Sequence, residues 1–434
     1  MVRVYNKNSI LQQTETKERS MTTMIPVTLD IEGLEIEEVK INRGGQYEIY
    51  VKSTIEGCTC HVCGKHIEKY HGKDGQKRIR HLPILGRETY LIVRLPRFQC
   101  MDCHGKPTTT QQVPWHDRRS PNTIPFEKHI LLGLMGSTVE DVSQREGIGY
   151  EAVMGIVRRH IKTGVDWDSI GQLQQIGLDE ISLKKGHKDF VTIVSAYIGG
   201  RVQLLAVLTD RKKETVKEFL ETIPEELKKT VKSVCSDMYD GFINAAKEVF
   251  GSLPKIVVDR FHVAKLYRKG LDTLRIKELK RLKEELTKEE YTELKGAMWV
   301  LRKKKTDLTV EDKALLKLLF GYSPKLGTAY QERNNLTKIF DTKTSRSGGK
   351  RRIKNWITQV NESDTTCFDK FISTLNSYLE EIVNYFIARH SSGFVEGFNN
   401  KIKVIKRRCY GIINVEHLFQ RIFLDISERE IYAL

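Results

Sequence analysis

The feature that most constrains the fold is the order of strand and helix patterns between residues 171 and 262. Five short apolar segments in this region are typical of β-strands, and two longer segments have helical spacing. Short turns join antiparallel strands and helices join parallel ones, so the order β-β-β-α-β-α-β predicts a mixed sheet in an α/β domain. The strands are IGLDEIS, DFVTIVSAYI, RVQLLAVL, VKSVCSD and PKIVVD, and the helices are KETVKEFLETI and YDGFINAAKEVF.

The rest of the 434-residue chain has room for further domains, since about 100 to 200 residues make one domain. Residues 1–24 are polar and aperiodic, and they predict a flexible tail. Short strand patterns from Glu35 to Cys103 predict a small β module. Helical spacing follows in residues 124–162 and dominates residues 263–390, where the basic segment DTKTSRSGGKRRIK predicts an exposed loop.

The charge balance predicts a polyanionic partner. The chain has 72 Lys and Arg against 56 Asp and Glu, a formal net charge of +16. No window approaches 18 uncharged apolar residues, and the first residues lack the apolar core of a signal peptide. We therefore expect a soluble, cytoplasmic protein that does not enter a membrane.

Two C-x-x-C motifs predict a structural zinc site. Five of the eight cysteines lie between Cys58 and Cys103, and two pairs have the spacing of zinc knuckles. Four protein ligands would fill the tetrahedral positions of one Zn²⁺, which leaves none open for catalysis. Cys58, His61 and His104 are close enough in sequence to replace one ligand, and buried structural thiols are the alternative. The predicted ligands are Cys60, Cys63, Cys100 and Cys103.

A helix-turn-helix pattern follows the cysteines. Ser137 and Glu140 have the spacing of a capping box, and Gly147-Ile148-Gly149 then predicts a turn. In the next helix one face is apolar, while Arg158, Arg159 and Lys162 lie off it, where they could contact DNA. The alternative is a helical hairpin whose charges are solvated.

Three acidic residues predict a magnesium site. Asp179 and Asp237 end two strands of the α/β domain, where the carboxyl edge of a sheet binds ligands. Glu396 lies far downstream, on a predicted helix. Three carboxylates suit two Mg²⁺ ions that act on a phosphodiester, although each acid alone could be a helix cap or a solvated residue. Asp259 competes with Asp237, and its spacing to His262 favours a role for both in the second shell; Glu180 and Asp240 are weaker alternatives.

Basic and amide side chains follow Glu396 on the same predicted helix. Asn400, Lys403 and Arg407 follow it at steps of four, three and four, which places them on its face. We expect this segment to neutralise DNA phosphates, and a solvated helix end is the alternative. Its candidate DNA-binding residues are Asn400, Lys401, Lys403, Lys406, Arg407 and Arg408.

Several blocks resemble the ISL3 family of bacterial insertion-sequence transposases over about residues 45–430. Among them are LPILGRETYLIVRLPRFQCMDC, LDEISLKKGHKDFVTIV, KIVVDRFHVAKL and GFVEGFNNKIKVIKRRCYGIINVEHL. The resemblance implies an RNase H-like catalytic core in which two aspartates and a glutamate bind Mg²⁺, with a helical insertion before the glutamate. Matched block by block, these acids are Asp179, Asp237 and Glu396.

The resemblance also implies a function and a domain order. The function is DNA transposition, in which the enzyme binds terminal inverted repeats in double-stranded DNA and then cleaves and joins strands, as a homodimer or higher oligomer on the bacterial nucleoid. The domain order is a tail (1–24), a zinc-binding β module (25–110), a helix-turn-helix (118–165), the first part of the catalytic core (170–264), a helical insertion (265–388) and the final core helices (389–434).

Two other functions fit the same motifs. A structure-selective nuclease of the same fold would cut DNA and never join it, and a DNA-binding regulator would keep the N-terminal modules beside an inactive α/β domain. Within the insertion, Trp299 and Trp356 stand beside basic segments and could stack on an unpaired base, although a tryptophan is more often part of a core.

Overall fold

A computed structural model describes residues 28–183, 190–251, 255–363, 365–388 and 393–426; the side chains of residues 388 and 393–396 are not described. The predicted tail lies outside these residues. The chain divides into two compact units, the first up to His160 and the second from Ile161 to Ile426. Among the described residues, no helix has both the length and the apolar character needed to span a membrane.

The first unit begins with a β module of three small sheets. Four strands form the largest sheet in the order β1-β2-β7-β6, three form the sheet β5-β8-β9, and β3 pairs with β4. Leu91, Val93 and Leu95 lie in the core of this module. The strands are β1 Leu34–Ile41, β2 Tyr47–Ser53, β3 Cys58–Thr59, β4 His66–Ile67, β5 Tyr70–Lys73, β6 Lys77–Ile84, β7 Arg87–Val93, β8 Pro96–Gln99 and β9 Thr108–Thr110.

Three helices complete this unit: α1 Ile124–Leu134, α2 Val139–Glu146 and α3 Tyr150–His160. The predicted capping box is one residue out of register. Thr138, not Ser137, caps α2: its hydroxyl accepts from the Asp141 N–H at 3.0 Å, and the Asp141 carboxylate accepts from the Thr138 N–H at 3.1 Å. A Thr with an Asp at the third helical position closes the same reciprocal pair as Ser with Glu.

A buried carboxylate ties α3 to α1. Glu127 of α1 is 1% exposed and forms ion pairs with Arg159 and with His160, whose Nε2 lies 2.6 Å from its carboxylate. Burial raises the pKa of Glu127, but hydrogen bonds from His160, Arg159 and Ser120 outweigh burial and lower it to about 2. The ionised carboxylate therefore stabilises the helical part of this unit.

We predict that Glu127→Gln lowers the free energy of unfolding of α1 and α3 at neutral pH by roughly 3 kcal/mol. Because folding depresses the pKa of Glu127, its contribution is complete above the unfolded value and fades as the pH falls toward 2. Amide hydrogen exchange of α1 at pH 7 and pH 3 measures both effects. A difference between wild type and variant that is unchanged at pH 3 would contradict this account.

The second unit contains the predicted mixed sheet, with strand order β12-β11-β10-β13-β14. Strands β10, β11 and β12 are antiparallel neighbours, whereas β13 runs parallel to β10, and β14 runs parallel to β13. The predicted order of strands and helices is thereby confirmed. The elements are β10 Gln175–Ser182, β11 Phe190–Ile198, β12 Arg201–Leu208, α4 Lys213–Glu221, α5 Glu225–Lys228, β13 Ser233–Ser236, α6 Asp240–Phe250 and β14 Lys255–Val258.

Helices make up the rest of this unit, and one hydrophobic core continues from the sheet through most of them. Near the end of the unit, α16 packs on β10 and α17 packs on β12. The helices are α7 Arg260–Glu285, α8 Lys288–Glu293, α9 Ala297–Arg302, α10 Val310–Tyr322, α11 Pro324–Asp341, α12 Arg346–Glu362, α13 Asp369–Ser377, α14 Leu379–Val383, α15 Tyr385–Ala388, α16 Gly393–Arg408 and α17 Val415–Ile426.

The prediction of an exposed loop at residues 341–354 was wrong for most of that segment. Ser345 caps α12, and the helix runs through Gly348 and Gly349. A Cβ at Gly349 would lie 2.3 Å from the ring of Phe386, so this glycine permits close packing and does not break the helix. Trp356 of the same helix is 1% exposed and donates to the Glu332 carbonyl at 2.9 Å, so it belongs to the core and cannot stack on DNA.

Candidate functional site

Three aspartates stand side by side at one edge of the large sheet. In the parallel register Leu178 pairs with Ser236, and Ser236 pairs with Val258. The next residue on each strand is an aspartate: Asp179 after Leu178, Asp237 after Ser236 and Asp259 after Val258. Strands β13 and β14 end just before their aspartates, as predicted for Asp237, whereas β10 continues to Ser182, so Asp179 does not end its strand. The parallel register still places the three aspartates in a row.

Two of these aspartates share a site with a histidine. One side-chain ligand atom each from Asp179, Asp237 and His262 lies within 4.8 Å of the others. Burial raises the pKa of Asp179, and burial together with the charge of Asp179 raises the pKa of Asp237 to about 7. Two carboxylates in this position repel each other unless a proton or a cation lies between them.

The donor set fits a divalent metal ion. Asp237 Oδ1 is buried and has no hydrogen-bond partner among the described residues. Carboxylate oxygens are the ligands that hard cations such as Mg²⁺ prefer. A cation here would satisfy the orphaned oxygen and remove the repulsion between Asp179 and Asp237.

Both carboxylate oxygens of Asp259 already have partners in α7. Its Oδ1 accepts from the Phe261 N–H at 2.7 Å and caps α7, and its Oδ2 lies 3.4 Å from His262 Nδ1. Asp259 raises the pKa of His262, while burial opposes that shift. Asp259 therefore positions the start of α7 and the imidazole, as expected for a residue that orients groups at the site and does not itself bind the metal.

Asn399 of α16 completes the described part of the site, and the sequence reasoning missed it. It is 3% exposed, its Nδ2 donates to the Asp179 carboxylate, and its Oδ1 has no partner among the described residues. The sequence prediction chose Asn400, which is exposed. The missed signal was the apolar periodicity of α16: Phe398, Ile402 and Ile405 are buried, and Asn399 lies among them.

Glu396 belongs to α16, three residues before Asn399. Its side chain is outside the described part of the chain, as are Ser391 and Ser392, so its role as a metal ligand stays a prediction. The two weaker acidic alternatives have other partners. Glu180 forms an ion pair with Arg211 at 2.7 Å, and Asp240 accepts from the Tyr378 hydroxyl at 2.9 Å.

The predicted basic residues of α16 fall into two groups. Lys406 donates to the Ser182 carbonyl and Arg408 forms a 2.6 Å ion pair with Asp425, so both have structural contacts. Lys403 and Arg407 are exposed, and the charge of Lys403 favours the ionised form of Asp179. Lys403 and Arg407 therefore remain better placed than Lys406 or Arg408 to contact a phosphate.

The four predicted cysteines converge in the β module of the first unit. The Sγ atoms of Cys60 and Cys103 are 4.0 Å apart, and those of Cys63 and Cys100 are 3.7 Å apart. Tetrahedral zinc with Zn–S bonds of 2.3 Å requires sulfur–sulfur distances of about 3.8 Å, so the cluster fits one Zn²⁺. The backbone N–H groups of Cys63 and Val62 lower the pKa of Cys60 to about 6, which favours the thiolate that binds metal.

The alternative zinc ligands lie outside this cluster. The Cys58 thiol faces the Thr109 carbonyl at 3.7 Å, and His61 Nδ1 is 2.9 Å from the Thr109 hydroxyl. His104 is exposed and is not among the four grouped side chains. The geometry therefore selects the two C-x-x-C pairs.

Comparison with known proteins assigns the second unit. A family model described as "Transposase", the DDE domain of the ISL3 group, matches residues 176–422 and so covers more than half of the chain. The chain belongs to the ISL3 transposase family. Two further models match this transposase, a transposase zinc finger at residues 56–103 and the family's helix-turn-helix domain at residues 111–161.

Curated relatives of this ISL3 transposase match along almost their whole length. The transposase for insertion sequence element IS1001 of Bordetella parapertussis is 27% identical over 393 residues, which cover 90% of this chain and 94% of the relative. The transposase for IS1557 of Mycobacterium tuberculosis is 24% identical over 420 residues and 92% of each chain. The chain is thus a DNA transposase, an enzyme that uses a divalent metal to cleave and join DNA, and its zinc finger holds a structural zinc.

We predict that this ISL3 transposase binds one zinc per chain and that Cys60→Ser releases it and unfolds the β module, because so small a module folds largely through its metal. Cys58→Ser is the matched control, since Cys58 lies in the same module but outside the cluster, and it should keep the zinc. Elemental analysis of both purified variants measures this. A wild-type protein without zinc would refute the assignment.

The two arginines of α3 should behave differently. Arg158 is exposed on the helix predicted to contact DNA, whereas Arg159 pairs with the buried Glu127. We predict that Arg158→Ala weakens binding to the element's terminal DNA and reduces the slope of log K against log salt by about 0.9, the value for one lost phosphate contact. Lys162, exposed just beyond α3, stays a candidate of the same kind.

Fluorescence anisotropy at several salt concentrations measures the slope, with Lys128→Ala of α1 as the control. Arg159→Ala should instead reproduce the instability of Glu127→Gln. An unchanged slope for Arg158→Ala would assign that residue to the solvated face of the helix.

Proposed function

We propose that this transposase cleaves and rejoins the ends of its own insertion sequence at a site formed by Asp179, Asp237 and Glu396. The observation that carries the assignment is that Asp179 and Asp237 directly follow paired residues of two parallel strands, while Asp237 Oδ1 has no partner among the described residues. Glu396 completes the proposed triad through the family resemblance. Asp237 is preferred to Asp259 because Asp259 already caps α7.

Each side chain at the site has a proposed role. Asp179, Asp237 and Glu396 would hold two Mg²⁺ ions, which supply an activated water or 3′ hydroxyl and stabilise the leaving oxygen when bound. Asn399 fixes the orientation of the Asp179 carboxylate through its amide. Asp259 orients His262, whose imidazole faces both metal-binding aspartates.

We also propose that the catalytic core is RNase H-like. Three antiparallel strands followed by two parallel ones, with the acids at the carboxyl edge of β10 and β13, support this assignment. On this reading the core comprises residues 170–264 and 389–434, and the helices of residues 265–388 are an insertion. The zinc-binding module would span residues 25–110 and the helix-turn-helix residues 118–165.

The partners follow from the same proposal. The helix-turn-helix and zinc finger would bind terminal inverted repeats in double-stranded DNA, with Arg158 and Lys162 at phosphates or base edges. Asn400, Lys403 and Arg407 would lie along the strand that is cut. We expect a homodimer or higher oligomer on DNA, because two ends must be joined to one target, and we expect it in the bacterial cytoplasm on the nucleoid.

We predict that Asp179→Asn, Asp237→Asn and Glu396→Gln each lower nicking of terminal DNA by roughly 10³-fold, since several kcal/mol of transition-state stabilisation depends on the metal. Binding to the same DNA should stay within about twofold of wild type, because the first unit carries recognition. Asp240→Asn is the matched control, being an exposed acid three residues after Asp237. Mg²⁺ and Mn²⁺ should support nicking, and Ca²⁺ should not.

If Asp237→Asn nicks DNA normally and Asp259→Asn is inactive, Asp259 and not Asp237 is the metal ligand. A second assay supplies a pre-cleaved end with a free 3′ hydroxyl and a target plasmid. We expect joined product from wild type, and cleavage without joining would identify a nuclease instead.

A further inference from the structure

A basic pocket lies within the second unit, between α7, α9 and α11. It has a volume of about 360 Å³, which falls within the range of small-ligand sites. Two leucines and one aspartate line it beside six cationic residues. The cations are Lys265, Arg268, Lys269, Arg275, Arg302 and Arg333.

One of these cations is buried. Arg333 is 5% exposed, and its guanidinium donates to the Leu301 carbonyl at 2.7 Å, but its Nε has no partner among the described residues. Burial lowers the pKa of Arg333, and the charge of Arg268 adds to that effect. A buried cation that lacks an anion is unfavourable, so the pocket is complementary to a negatively charged group.

The single acid of the pocket does not neutralise it. Asp272 pairs with Arg275 at 2.8 Å and with Arg302 at 3.0 Å, so its two oxygens are already engaged. In the part of the chain that the structure describes, no acid lies within ion-pair distance of Lys265, Arg268 or Lys269. These three side chains are exposed on one face of α7, at steps of three and one.

An exposed tryptophan stands at the rim of the pocket. Trp299 is 64% exposed on α9, and its ring lies 5.9 Å from the guanidinium carbon of Arg302, which lines the pocket. A large aromatic ring is seldom left this open to water, and it offers a flat surface on which a base can stack. Trp356 has no such exposure.

The pocket is connected to the candidate active site by α7. His262 lies in the first turn of that helix, and Lys265, Lys269 and Asp272 follow it at steps of three, four and three. These positions form one stripe, and at 1.5 Å per residue Arg268 lies roughly 9 Å along the helix from His262. A DNA strand held at the site could therefore continue along α7.

We propose that this pocket binds a backbone phosphate of single-stranded DNA and that a neighbouring base stacks on Trp299. The proposal rests on the function as a DNA transposase, since it assigns the insertion a place on the strand being processed. Arg333, Arg268 and Lys269 supply the charge for the phosphate, and Arg302 orients the ring of Trp299 at the rim.

The test measures binding of a fluorescent thymidine oligonucleotide of about ten nucleotides to the full zinc-loaded protein without Mg²⁺, at several salt concentrations. We expect the double variant Arg268→Gln/Lys269→Gln to bind about tenfold more weakly, with a salt slope reduced by about 0.7, the value for one single-strand phosphate contact. The matched control Lys277→Gln/Lys280→Gln removes the same charge from α7 outside the pocket and should change the affinity less than about twofold.

Base stacking on Trp299 is tested separately. Trp299→Ala should weaken binding of the thymidine oligonucleotide about tenfold and leave binding of an abasic strand of equal length unchanged. Inorganic pyrophosphate should compete with the abasic strand for the pocket. Neither ligand carries a base, so both bind through their phosphate groups.

If the pocket variant and its control lose the same affinity, the pocket does not bind the phosphate. If Trp299→Ala weakens binding of the thymidine oligonucleotide and of the abasic strand equally, no base stacks on Trp299. Nicking of terminal duplex by wild type is measured in parallel. A wild type that binds the oligonucleotide through the pocket but never nicks would count against the proposed catalytic function alone, whereas normal nicking with unselective binding would count against the pocket alone.

Discussion

Negative charge placed side by side in a buried edge of the sheet is the constraint on which the second unit depends. The parallel register of β10, β13 and β14 brings three aspartates into one row. Such a row is unfavourable unless each carboxylate has a counter-charge or a hydrogen-bond donor. Asp259 obtains both from α7, through the Phe261 N–H and His262, whereas Asp179 and Asp237 face each other. The fold thus builds a place for a cation between two neighbouring carboxylates, of which Asp179 accepts hydrogen bonds and Asp237 keeps one oxygen without a partner among the described residues.

Two helices supply the polar side chains that contact the aspartates of the sheet. The first turn of α7 presents His262 to the two aspartates, and α16 packs on β10 so that Asn399 reaches Asp179. Both helices are held by the same hydrophobic core as the sheet or by packing on its strands. The positions of these polar groups therefore depend on apolar contacts well away from them, and loss of packing in the helical region would disturb the site without touching an acidic residue.

Much of this organisation could be predicted from the sequence because it rests on local patterns. The strand and helix order of residues 171–262, the helix-turn-helix and the four clustered cysteines each leave a short-range signal. The prediction of Asn400 rested on its spacing from Glu396, whereas the apolar periodicity of α16 places Asn399 on the buried face. The helix through Gly348 and Gly349 was missed since glycine pairs usually break helices, and here the ring of Phe386 takes the space that a side chain at Gly349 would need. The sequence could not distinguish the buried Trp356 from the exposed Trp299, because the burial of each ring depends on how the helices pack.

The order of these parts along the chain has a consequence during synthesis. The β module and the helices α1 to α3 leave the ribosome before the large sheet begins, while Asn399 and Glu396 belong to α16, near the other end of the described chain. A nascent or truncated chain that lacked α16 would still carry the zinc finger and helix-turn-helix. If these modules bind the ends of the insertion sequence as proposed, such a product would occupy DNA without cutting it, and incomplete translation would yield a competitor of the enzyme and not a weaker enzyme.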